Sequence, residues 1–262
     1  MLIAANGVEL SVAVHGEGDP LVLLHGYTGS ANDWDGVVAE LSEARQVITL
    51  EHRGHGDSSN TGDAATYTFD QLVVDAAVVF DELGLDCFDL LGHSMGGIVA
   101  MRYALLHPDR LRSLILMDTG AEASPEGPQH GFMRAGFTLA QEGGMAAVYA
   151  AIDPYLGEGE AGERVRAHLR PNYDRMDPVA FARLGEELLV HPSVLDRLAG
   201  LQVPTTVMVG VDDHGLRDAS DALAATIPGA VLHVIPDAAH SPQVENRAAW
   251  MEVVRGHLAG RA

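Results

Sequence analysis

Phe88-Asp89-Leu90-Leu91-Gly92-His93-Ser94-Met95-Gly96-Gly97 is an apolar strand running into G-x-S-x-G, and a helix-forming stretch from Ile98 to Leu106 follows at once. Small residues around Ser94 let the backbone take a sharp strand-to-helix turn that holds the hydroxyl clear of the sheet edge. A helix starting just past the serine aims its free N–H groups at whatever negative charge develops there. These ten residues describe an activated nucleophile, so the chain reads first as a hydrolase.

The flanking sequence alternates strand and helix. Val8–Val14 reads as an edge strand, and Leu21–Leu24 and Val47–Leu50 are short unbroken apolar runs of the kind buried on both faces of a parallel sheet. A polar loop spans residues 51–65. Apolar residues at helical spacing from Thr68 to Leu83 then end at Gly84, a helix C-cap. Strands are expected at Leu114–Met117, Thr205–Val209 and Val231–Ile235, with helices near Ser220–Thr226 and Gln243–Leu258. Such alternation predicts a doubly wound, mostly parallel sheet of the α/β class. Residues 121–199 break the rhythm with helix-prone pieces near 132–142, 145–152, 160–169, 178–189 and 193–198. The expected organisation is therefore a core of residues 1–120 and 200–262, with residues 121–199 inserted as a helical cap or lid.

A serine nucleophile needs a base, and the base needs a carboxylate to orient it. His240 follows the Val231–Ile235 strand, and the Gly210–Gly215 loop follows the strand before it and carries Asp212 and Asp213. All lie just beyond the C-terminal ends of strands, where open α/β sheets place their ligands. Asp118 also ends a strand and is a rival acid, whereas Asp212 reads as a turn or solvent residue. His93 reads as a packed neighbour of the serine. His52 and His55, with Asp57 nearby, read as a structural turn rather than a metal site. Cys87, the single cysteine, excludes an internal disulfide and reads as a small core residue.

Taken in order, these motifs resemble the α/β-hydrolase fold superfamily, its serine esterase and lactonase branch, over almost the whole chain. The resemblance rests on His25-Gly26-Tyr27-Thr28-Gly29-Ser30, Arg53-Gly54-His55-Gly56-Asp57-Ser58, the Ser94 elbow, Gly210 through Asp213, and His240 with Pro242 and Glu245. It implies a triad of Ser94, Asp213 and His240 and an oxyanion hole made by the backbone N–H groups of Tyr27 and Met95. It also implies acyl transfer to water with no metal or organic cofactor, acting on a small to medium carboxylic ester or lactone. Serine at the elbow argues against dehalogenase and epoxide hydrolase chemistry, which in this superfamily generally uses aspartate there. Alternatives are carbon–carbon hydrolysis of ring-opened aromatic diketones, with Arg134, Arg183 or Arg197 holding a substrate carboxylate, a thioesterase, and a receptor or scaffold that binds without turnover. Met133, Phe137, Tyr149 and Phe181 are among the cap residues available for an acyl pocket, although most such residues are expected to pack helix on sheet.

Sixteen basic against 37 acidic residues give a formal charge of −21, which makes nucleic acid and anionic membranes poor partners. No run reaches the roughly 18 apolar residues of a membrane span, and the N-terminus lacks a basic region before an apolar run. A cytoplasmic enzyme without stable membrane insertion, monomeric or homodimeric, is the expectation.

Overall fold

The computed structural model describes residues 1–124 and 126–260. In chain order the core begins with strands β1 (Leu2–Ala5), β2 (Val8–His15) and β3 (Pro20–Leu24), helix α1 (Asp35–Leu41), strand β4 (Gln46–Leu50) and helix α2 (Phe69–Glu82). It continues through β5 (Phe88–His93), α3 (Met95–Leu106) and β6 (Leu111–Met117). Helices α4 (Pro128–Ile152), α5 (Gly159–Asp174), α6 (Pro178–Val190) and α7 (Leu195–Leu198) follow before the sheet resumes. The last elements are β7 (Thr205–Gly210), α8 (Arg217–Thr226), β8 (Val231–Ile235), α9 (Pro242–Glu245) and α10 (Arg247–Ala259).

The strands form one sheet in the order β1-β2-β4-β3-β5-β6-β7-β8, with β1/β2 and β2/β4 antiparallel and every later pair parallel. Side chains alternate between faces along each strand. Val22 and Leu24 join one apolar cluster with α2, α3 and α8, while Leu21 and Leu23 join a second with Trp34, α1 and α10. That period of two buries both faces and accounts for the unbroken apolar runs in the sequence. The strand order reverses between β3 and β5, so the loops after these two strands open a crevice at the sheet's C-terminal edge.

Several sequence expectations change. Val8–Val14 is not the edge, because Leu2–Ala5 adds a further strand outside it through a hairpin whose turn residues Asn6 and Gly7 have φ of 49° and 81°. The single helix expected over Gln243–Leu258 is two, since Asn246 leaves helical geometry (φ −138°) and accepts from the Ala249 N–H to start α10. The separate pieces expected near 132–142 and 145–152 do hold: both are helical within α4, and the backbone between them leaves helical geometry at Gly144 (φ 67°). Cys87 is exposed rather than a core residue. The polar loop after β4 is packed inside, with Glu51, His52, Arg53 and His55 all buried. Glu51 there accepts from the Ala31 and Asp57 N–H groups, and Arg53 forms a two-bonded pair with Asp75 at 2.5 and 2.6 Å.

Candidate active site

The turn after β5 puts Ser94 in a conformation that L-residues avoid, φ 53° and ψ −117°. Neighbouring contacts hold it there. The Ser94 N–H donates to the Met117 carbonyl at 2.9 Å, and its own carbonyl accepts from the Thr119 hydroxyl at 2.7 Å and the Gly97 N–H at 2.9 Å. A Cβ on Gly92 would run into the Gly96 carbonyl, and one on Gly96 into the Leu24 carbonyl, so the chain crosses itself too closely for any side chain at either position. Met95, the first residue of α3, follows directly and contributes its N–H at the helix N-terminus.

The loops after β7 and β8 bring Asp213 and His240 together, with His240 Nδ1 donating to Asp213 Oδ2 at 2.7 Å. The Asp213 side chain is mostly buried and the imidazole half exposed. Burial opposes charge on His240, yet the bond to Asp213 and its negative charge outweigh it and hold the imidazole above its ordinary value. Burial likewise opposes charge on Asp213, and its bond to His240 outweighs that to hold it below the usual carboxylate range. His93 supports His240 from beneath, its Nε2–H donating to the His240 carbonyl at 2.6 Å. Burial pushes His93 down to about 4, so it stays neutral and braces the loop. Asp212 is exposed and takes no part in this pair.

Ser94 lies between two cavities. One, of about 390 Å³, is lined by Gly26, Tyr27, His93, Ser94, His168 and His240 among others, so the serine and the histidine share a wall. The other, of about 370 Å³, runs from Ser94 beneath the cap past Ile98, Met133, Leu188, Leu195 and Ala222 and is mainly apolar. Tyr27 commits its hydroxyl to the cap rather than to a ligand: it donates to the Phe181 carbonyl, and its ring stacks on Phe181 at 5.2 Å. Tyr27 nonetheless lines the cavity that holds Ser94 and His240.

Of the cap residues singled out by sequence, Met133 lines the apolar cavity, whereas Phe137, Tyr149 and Phe181 pack with Tyr173 in a cluster of their own. Arg183 is engaged by Glu186 and Glu187, and Arg134 and Arg197 are exposed. His52 and His55 are buried as a structural turn, His52 donating its backbone N–H to His25 Nε2 and the His55 imidazole bonding to the Arg53 and Tyr27 carbonyls. Three site neighbours were not foreseen. Asp33 accepts from His168 Nε2–H and from Asn172 Nδ2–H, each at 3.2 Å, which ties α5 to the loop after β3 and puts His168 and Asn172 in the polar cavity. Hydrogen bonding to Asp33 raises His168 against the opposing effect of burial.

A second serine–histidine contact lies at the opposite end of the strands. His257 Nε2–H donates to Ser113 Oγ at 2.9 Å, Ser113 donates to Asp89 at 2.5 Å, and Thr206 donates to His257 Nδ1 at 2.7 Å. Ser113 is fully buried with its hydroxyl committed at both ends. That arrangement braces β5, β6 and β7 against α10.

A strand-order reversal, a strained serine in the crevice beyond it, and an acid–histidine pair delivered by the last two strands decide the family. A profile of the α/β hydrolase fold family matches residues 19–247. The chain belongs to the α/β-hydrolase fold family. It is 31% identical to the 2-hydroxymuconate semialdehyde hydrolase of Pseudomonas sp. strain CF600, over 98% of this chain and 93% of that one. Among solved structures it resembles the enol-lactonase of Burkholderia xenovorans LB400, with TM-score 0.86, 26% identity, and coverage of 99% of this chain and 100% of the other. It also resembles a thermophilic esterase from Thermogutta terrifontis, with TM-score 0.83, 30% identity, and coverage of 100% and 98%. This α/β hydrolase carries its helical insertion between β6 and β7, and among the described residues no helix is long and apolar enough to cross a membrane.

Proposed function

We propose that this serine-dependent hydrolase uses Ser94 as nucleophile, His240 as base and Asp213 as the acid that orients it. His240 takes the Ser94 proton as Oγ attacks a substrate carbonyl, and the Tyr27 and Met95 N–H groups receive the oxyanion. The imidazolium then protonates the leaving group, an acyl-enzyme remains, and a water deprotonated by His240 releases the acid. The observation that carries this reading is the 2.7 Å His240–Asp213 bond beside a cavity wall that His240 shares with the strained Ser94. The Ser113–His257 contact does not compete, because a nucleophile must meet substrate and Ser113 is wholly enclosed.

For the substrate we favour a carboxylic ester or lactone of small to medium size. The two-sided cavity supports it: an apolar branch of about 370 Å³ suits an acyl chain, and the cap arginines that could hold a carboxylate are paired or turned outward. A second reading rests on the relatives. The curated proteins at 31% and 30% identity over 98% of this chain are 2-hydroxymuconate semialdehyde hydrolases, and on identity alone carbon–carbon cleavage stands ahead. Such cleavage expels an enolate, so it needs a substrate with a second carbonyl as electron sink and a donor to serve it. His168, in the polar branch, is the candidate donor.

One assay separates the two. Turnover is measured on p-nitrophenyl esters of increasing length, simple lactones and a ring-opened aromatic diketone, with Ser94→Ala as control. Fast ester or lactone hydrolysis that the variant lacks supports the first reading, and diketone cleavage far above ester turnover replaces it with the second. Retained turnover in a folded Ser94→Ala protein removes the mechanism altogether.

A further inference from the structure

Two carboxyl groups meet at the base, and the mechanism uses one of them. Asp118 closes β6 with a left-handed backbone (φ 45°), locked by its N–H donating to the Met208 carbonyl at 2.9 Å. Its Oδ1 accepts from the Gly210 N–H at 2.9 Å. Its Oδ2 is buried with no donor in reach, and ligand atoms of Asp118, Asp213 and His240 all lie within 4.8 Å of one another. Two carboxylates facing each other in a buried site with no donor between them cannot both stay ionised, because each would lose its hydration and gain a like charge. A proton must lie between them. Asp118 is the better holder, since ionised Asp213 is stabilised by the His240 bond to its Oδ2 whereas Asp118 Oδ2 has no donor.

We propose that Asp118 is a positioning residue that stays protonated on Oδ2 at neutral pH and donates that proton in a hydrogen bond to Asp213, fixing Asp213 as the ionised partner of His240. The inference rests on Asp213 and His240 serving as acid and base. Burial, reinforced by Asp213, pushes the Asp118 carboxyl up to about 8, against the opposing pull of the Gly210 N–H and of His240. The remaining charged or titratable neighbours are His93 at the end of β5 and Glu245 on α9, with Glu122, His191 and Asp218 on the wall of the cavity that Asp118 lines.

Above its titration point Asp118 stops donating and repels Asp213 instead, so the base loses its anchor. Native kcat/KM should therefore show an alkaline limb centred near 8. Asp118→Asn keeps a donor toward Asp213 and an acceptor for Gly210 but cannot ionise. It should hold kcat within about threefold of native at pH 7, under 1 kcal/mol of barrier, and lose that limb. Asp118→Ala, checked for folding by circular dichroism, should fall well below both. In difference infrared spectra the native protein should show a protonated-carboxyl band that disappears as pH rises through the same point and is missing from Asp118→Asn.

An alkaline limb unchanged in Asp118→Asn would overturn the proposal, as would a native spectrum without the band. So would loss of two orders of magnitude at pH 7 in Asp118→Asn, which would make ionised Asp118 the working acid. Turnover abolished by a chelator and restored by a divalent cation would replace the proton with a metal. Ser94→Ala and Asp213→Asn run in parallel keep the two levels apart: if both are inactive while Asp118→Asn matches the native pH profile, only the Asp118 inference fails.

Discussion

In the proposed mechanism Asp213 governs when His240 can act, which makes pH the direct probe of that residue. A general base works only in its neutral form, and Asp213 holds the imidazole above 6.5. Turnover should accordingly fall as pH drops through a point above the ordinary histidine range, giving an acid limb in kcat/KM. Asp213→Asn removes the charge that raises His240, so what activity survives should have its acid limb moved to lower pH. The same change lowers kcat by on the order of 10³–10⁴, since the imidazole loses its orienting acceptor. An acid limb that stays put in Asp213→Asn would mean that another group sets the protonation of His240. Away from the site, Arg53 and Asp75 form a pair that is almost wholly buried. Asp75→Ala would strand the guanidinium in the interior and should cost about 3–5 kcal/mol in urea unfolding; a loss below 1 kcal/mol would mean that water or another acceptor reaches Arg53. At this scale the catalytic candidates were legible because each follows a strand in motif order. Asp33, His168 and Asn172 were not, because an aspartate after β3 meets a helix more than 130 residues later only through packing. Asp118 could be named as a strand-end acid, but nothing in the sequence tells which way its carboxyl turns.

Helices and strands read well where periodicity was strong, and the failures have physical causes. The β1–β2 hairpin was missed although Asn6-Gly7 between short alternating runs is a recognised turn signal, since four residues are too few for periodicity to register. The α9–α10 break was invisible because apolar spacing continues across Asn246, where the polar side chain caps the next helix instead of extending the first. In α4 the sequence was nearer the backbone than a continuous helix would be, as the split expected at Gly143-Gly144 coincides with the non-helical turn at Gly144 (φ 67°). That turn lets Phe137 and Ala140 before it and Met145, Val148 and Tyr149 after it reach one cap cluster. Nothing lies within 4 Å of where a Cβ on Gly144 would sit, so substitution there meets backbone strain and no clash. Gly144→Ala should cost roughly 1–2 kcal/mol. The strain falls on the cap and leaves Ser94, Asp213 and His240 in place, so KM should rise while kcat changes little. A kcat loss without a KM change would tie the α4 turn to the chemistry itself.

The whole molecule carries a formal charge of −21, and at low ionic strength that field reaches any substrate approaching the crevice. Its range is set by salt, from about 30 Å at 0.01 M to about 10 Å at 0.1 M. A neutral ester or lactone feels little of this, whereas a ring-opened diketone carrying a carboxylate must approach against it. The net charge thus bears on the choice between the two substrate classes. Raising salt across this range should lower KM several-fold for a carboxylate-bearing substrate, leave its kcat unchanged, and leave both constants unchanged for a neutral ester of similar size. One local feature can oppose the global field: His168, held above its ordinary value by its bond to Asp33, is the group on the wall of the polar cavity that carries positive charge when protonated. If that group captures the substrate carboxylate, salt should instead raise KM for the anion, and His168→Gln should abolish this response while ester turnover is kept. The direction of the salt effect on an anionic substrate therefore reports whether repulsion by the molecule as a whole or attraction at one cap histidine governs entry. An enzyme adapted to carboxylated diketones requires the second outcome, and an esterase or lactonase is free to show the first.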